Sequence, residues 1–91
     1  MLFCRVNNSN ASGDNSKRGF IVYKGSSISD HTTKSFNLNS YYKLRNELIE
    51  NGIIVGRVFV HDYIFSSSSA AACVISGRMI SGLVAWREII S

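Results

Sequence analysis

Proline is missing from this 91-residue chain, where a soluble domain of the same length carries roughly four or five. Cysteine is nearly missing too. Cys4 and Cys73 are too few for a disulfide scaffold and too few for a structural zinc site. No metal-ligand spacing, glycine-rich phosphate loop or nucleophile elbow occurs, so no metal is expected. No apolar run approaches the ~20 residues of a membrane span. The opening MLFCRVNN has too short an apolar run and no small-residue cleavage site, which excludes a signal peptide. A cytoplasmic, reduced setting is the expectation. Charge is sparse as well: Asp, Glu, Lys and Arg make up 18%.

What the chain does hold is apolar bulk and neutral polarity. Hydrophobic residues reach 45%, with 5 Phe, 4 Tyr and 1 Trp, too apolar for disorder. Serine (15) and asparagine (8) supply most of the polar surface. The length fits one domain, residues 1–91, too small to house a large cofactor, and no cofactor is expected. The formal net charge is +4, and it is lopsided. Residues 1–25 carry Arg5, Lys17, Arg18 and Lys24 against Asp14, three of the four units.

The pattern predicts an α+β domain in the order β-β-α-β-α-β. Two helices pack on a four-stranded, mainly antiparallel sheet, either both on one face or one on each. Leu2–Val6 and Gly19–Lys24 read as strands that pair across a long polar loop, Asn7–Ser16. Residues 25–39 show no period and read as a long loop. Ser40–Asn51 reads as a helix, with Tyr41, Leu44, Leu48 and Ile49 as its apolar stripe, Ser40 as N-cap and Gly52 as C′ residue. Ile53–His61 reads as a strand broken at Gly56 and covered on more than one side. A helix starts inside the serine run at 66–69 and ends at Gly77. Gly82–Arg87 reads as the last strand.

Several blocks carry a family resemblance: GFIVYKGS at Gly19–Ser26, LRNELI at Leu44–Ile49, DYIFSSSSAAA at Asp62–Ala72, SGR at Ser76–Arg78, and the late Trp86. Together they resemble the domain of unknown function numbered 4357, over nearly the whole chain. The resemblance implies a non-catalytic accessory module. Members usually sit at the C-terminal end of larger bacterial proteins, beside GIY-YIG nuclease or restriction-modification-type domains. A fused domain and a nucleic-acid link are therefore implied. The GIY-YIG motif itself is absent from this chain. Where the family has proline, this chain has Ser68. Proline favours the first helical position, so Ser67 is expected as N-cap. Met79, Ile80 and Ser81 replace the small and amide residues that the family prefers after its Gly-Arg.

Two readings of function follow. In the first, Lys17, Arg18, Lys24 and Arg78, with Ser67, Ser68 and Ser69 at the helix start, hold nucleic-acid backbone. Capping alone also explains the serines, and ordinary solubilising charge also explains the cations. No row of Arg, Asn or Gln suited to reading base edges appears. Tyr23, Tyr41, Tyr42, Tyr63 and Trp86 could stack bases but read mainly as core. In the second, Met79, Ile80 and Leu83 form an apolar patch for a protein partner. Catalysis is not expected. Cys73 reads as a buried inert thiol, and His61 and Asp62, adjacent on a strand, would point to opposite faces.

Overall fold

The segment ASGDNS, expected to be loop, is the middle strand of the main sheet. The computed structural model describes residues 1–88. Its elements run β1 (Leu2–Cys4), β2 (Ala11–Ser16), β3 (Gly19–Val22), α1 (Lys34–Asn37), α2 (Ser40–Glu50), β4 (Ile54–Val55), β5 (Val58–Phe59), β6 (Tyr63–Phe65), α3 (Ser68–Ser76), α4 (Gly82–Ala85) and β7 (Trp86–Arg87). The fold is α+β. The main sheet has five strands, in the order β6-β3-β2-β1-β7 and antiparallel throughout, and β4 and β5 form a separate hairpin.

The four-stranded expectation is corrected at three places. β1 and β3 do not pair, because β2 lies between them. β2 shows no apolar alternation because its inward positions, Ala11 and Gly13, are small. The bulk over it comes from Phe20, whose ring covers Gly13 so closely that a Cβ there would lie 2.6 Å from it. β6 is a strand that the reading passed over, bonded to β3 through Phe20↔Phe65 and Val22↔Tyr63. Finally, Gly82–Ala85 is a helical turn rather than strand, and only Trp86–Arg87 pairs with β1.

Ile53–His61 is not one strand. Val55 and Val58 face each other across Gly56 and Arg57, both at positive φ (57° and 65°), the geometry of a tight two-residue hairpin turn. Val58 is left partly exposed there, against the expectation of cover on more than one side. Residues 25–39 hold one short helix, α1, capped by the Thr33 hydroxyl. The segment is anchored by buried Ile28, Ser29 and Phe36.

The helix starting in the serine run forms as expected. Ser67 Oγ accepts from Ala70 N–H at 3.0 Å, and Gly77 closes the helix at φ +67°. Residues Ala70–Ser76 are all buried, as a helix hydrophobic all round must be. α3 packs against β3 and β6, while α2 packs on α3 and β4, so only α3 of the two long helices lies directly on the sheet. On α2 the cap is Asn39, accepting from Tyr41 N–H at 3.0 Å, rather than Ser40. Ile49 is exposed, and Arg45 takes its place on the inner face.

Candidate nucleic-acid interface

Alternation along the strands separates the two faces of the sheet. Cys4, Ala11, Gly13, Phe20, Val22, Phe65 and Trp86 are buried against α3 and its neighbours, whereas Phe3, Ser12, Asp14, Ile21 and Ile64 retain exposure. That is the signature of an antiparallel sheet covered on one side. The open face is partly basic and partly aromatic.

Its charged end lies where the first and last strands meet. Phe3 and Arg87 are direct cross-strand partners, which puts their Cβ atoms about 5 Å apart. Arg5, two residues on, stacks its guanidinium over the Phe3 ring, 5.5 Å from the centroid. Arg87 Nε donates to the Val84 carbonyl at 3.4 Å. Arg5, Val6, Val84, Ala85 and Glu88 complete a cleft of about 410 Å³ around Phe3 and Arg87. Among the described residues neither arginine is in an ion pair. One acid on this face, away from the cleft, is already engaged. Asp14 accepts from the Tyr23 hydroxyl at 2.7 Å and lies 3.4 Å from the Met1 amino group. The Tyr23 bond holds the Asp14 carboxyl below its usual range and, reciprocally, raises the Tyr23 phenol.

The residues expected to hold backbone phosphates do not converge on one spot. Lys17 and Arg18 form the exposed β2–β3 turn. The next residue, Gly19, touches the Phe65 carbonyl, so that turn lies near the start of α3 and its serines. Lys24 lies past the opposite end of β3, its N–H bonded to Asp62 Oδ1 at 2.7 Å. Arg78 follows the far end of α3, roughly 14 Å of helix from Ser67.

The serines are largely occupied within the fold. Ser67 caps α3, Ser69 Oγ accepts from Gly82 N–H at 2.9 Å, and the Ser68 carbonyl accepts from Trp86 Nε1 at 3.0 Å. Gly82 lies directly over the first turn of α3, where a Cβ would be 2.7 Å from Ser69 N. An anion approaching that N–H meets Gly82 first.

The apolar alternative divides as well. Leu83 is 92% exposed and Met79 42%, with Val84, unremarked in the sequence, at 55%. Ile80 instead packs against the core. Its N–H and carbonyl both face Cys73 Sγ, at 3.5 and 3.3 Å.

Cys4 is buried, contacts Ser9 Oγ at 3.9 Å, and has its thiol pushed up by burial. Cys73 is buried as well. His61 and Asp62 lie in a bend between β5 and β6 rather than on a strand. Both thiols are therefore expected to resist an aromatic disulfide reagent in the folded protein and to react fully in denaturant. Rapid reaction of either thiol before unfolding would contradict this packing.

Two residues central to the structure escaped the sequence reading. Arg87 carries no local signal beyond its place at the end of the last strand, because its partner Phe3 is far away in the sequence. Arg45 was passed over between Leu44 and Leu48, though it stands four residues from Tyr41 on the same stripe. It is 6% exposed. Its Nη1 donates to Ser29 Oγ (3.0 Å) and the Val74 carbonyl (2.9 Å), and its Nη2 to the Ser29 carbonyl (2.5 Å).

A family model described as Domain of unknown function (DUF4357) matches residues 2–90. Neither the curated proteins nor the solved structures give a match.

Proposed function

Because the chain belongs to the DUF4357 family, whose description assigns no activity, we propose from its own surface that it is a non-catalytic accessory module that binds nucleic-acid backbone. A restriction- or nuclease-related setting in the bacterial cytoplasm accords with the sequence resemblance. The observation that carries the reading is the pair of arginines, Arg5 and Arg87, in no ion pair among the described residues and flanking Phe3 on an open sheet face. Arginine suits phosphate because its planar fork binds two oxygens at once. An aromatic on an open sheet offers a stacking platform that is indifferent to sequence. Lys17 and Arg18 extend the basic surface to the opposite end of the sheet, about 20 Å from Arg5 along the strands.

The test is a binding titration of the whole chain with a short labelled single strand at several salt concentrations. Affinity is expected to fall as salt rises. Arg5→Ala and Arg87→Ala are each expected to weaken binding and to reduce the log–log salt slope by about 0.7. A wild-type protein that leaves the strand unbound at low salt rules the proposal out.

The second reading, a protein-interaction module with no nucleic-acid role, rests on Leu83 and Val84, two exposed apolar residues on α4. It is favoured if Leu83→Ser abolishes a protein contact while both arginine variants leave that contact untouched. Lys24, Arg78 and the serines 67–69 stay candidate backbone contacts, and their individual alanine variants in the same titration decide each.

A further inference from the structure

We infer that the cleft between α4 and the β1–β7 edge seats an unpaired nucleobase, so that the module takes single strands in preference to duplex. The inference rests on the nucleic-acid reading above and narrows it to a substrate class.

The cleft combines three features that a base requires. It is concave, and its volume of about 410 Å³ falls in the lower part of the range for small-molecule sites, about 300–1,000 Å³. Its walls are apolar: Val6, Val84, Ala85 and the Phe3 ring. It also has cations at the places a backbone would pass, with Arg5 stacked on Phe3 at 5.5 Å and Arg87 directly across the ladder from Phe3. A flat ring between apolar side chains, with its phosphates on the arginines, satisfies both kinds of surface at once. A bare phosphate would leave the apolar walls empty, and an apolar peptide would leave two arginines without partners. Glu88 is the one acid among the described lining residues.

Geometry then selects the strand type. Bases in a duplex are stacked and paired inside the helix, so they reach a protein cleft only after being extruded, which costs unstacking and unpairing energy. Bases of a single strand splay out freely and stack on aromatic and guanidinium planes. Each base so stacked strengthens binding by about five- to 150-fold.

The closing experiment compares three labelled probes on the wild-type protein by fluorescence anisotropy. They are a short thymidine oligonucleotide, a strand of the same length built from abasic sugar–phosphate units, and a duplex. The thymidine strand is expected to bind about fivefold or more tighter than either of the others. Val84→Phe, which fills the cleft from an exposed position, is expected to bring thymidine affinity down to the level of the abasic strand. If all three probes bind equally with salt-dependent affinity, base seating is overturned while the backbone reading survives. If none binds at low salt, both fall. The probe comparison needs no variant, so misfolding of Val84→Phe cannot rescue the idea.

Discussion

Arg45→Met is expected to lower the stability of the fold by about 3 kcal/mol or more, because three buried acceptors lose their donors together. The Val74 carbonyl, the Ser29 carbonyl and Ser29 Oγ all receive hydrogen bonds from this one guanidinium. Each buried polar group left unpaired costs about 1–3 kcal/mol, and a domain has only about 5–15 kcal/mol in all. The arginine has no carboxylate partner among the described residues, and burial lowers its pKa. Its compensation is the C-terminal end of α3, whose carbonyls carry partial negative charge. It thereby ties α2, the Ser29 segment and α3 together. Arg45→Lys is expected to recover only part of the loss, since a compact ammonium cannot reproduce the guanidinium's two-armed fork. Urea unfolding measures this as a shift of the midpoint at constant slope. A wild-type midpoint for Arg45→Met would mean that water satisfies the same acceptors.

Gly19→Ala is the second large effect. Gly19 sits at φ +141°, and a Cβ there would lie 2.1 Å from the Phe65 carbonyl oxygen. That oxygen belongs to β6, the edge strand hydrogen-bonded to β3. Relief therefore requires β6 to move away from β3, carrying the approach to α3 with it. Backbone strain alone costs about 1–3 kcal/mol. With the clash, a total on the order of 3 kcal/mol is expected, or a fall in Tm of roughly 15 °C. Gly25→Ala is the control. Gly25 also has positive φ, at +94°, but nothing lies within 4 Å of its would-be Cβ. Thermal melts of the two variants separate clash from strain, and equal losses would refute the close approach at Gly19.

What could be read from the sequence follows how local each signal is. α3 was legible because its determinants are contiguous, a serine run, alanines and a closing glycine, although choosing Ser67 within the run took the family's proline at the next position. α2 was legible in extent, but its cap shifted one residue because Asn39 and Ser40 are both good caps and only geometry chooses between them. β2 was illegible because Phe20 supplies from the next strand the apolar bulk that Ala11 and Gly13 lack. β6 was illegible because a run of three residues has no period to detect, and the last strand was legible only in its final two residues, Trp86–Arg87, because GLVA reads equally well as strand or helical turn. The basic face showed only as lopsided charge. The pairing of Phe3 with Arg87, which turns that charge into a site, joins opposite ends of the sequence, and no local pattern encodes it. Arg45 escaped for the opposite reason: a charged residue on an apolar stripe reads as solvent-facing unless its acceptors are known.

Among the described residues the two-residue strand β7 pairs only with β1, so few ladder bonds hold it there. Such edges open locally at a free energy below that of global unfolding. Arg87 faces Phe3 only while β7 is docked, and the cleft exists only in that state. Ligand occupancy and edge docking are therefore thermodynamically linked. A strand that binds the docked form adds its own binding free energy to the closure of β7, and apparent affinity is scaled by the fraction of molecules in which the edge is closed. Amide exchange at Trp86 and Arg87 should then slow in step with saturation, making this edge of the sheet a direct gauge of occupancy.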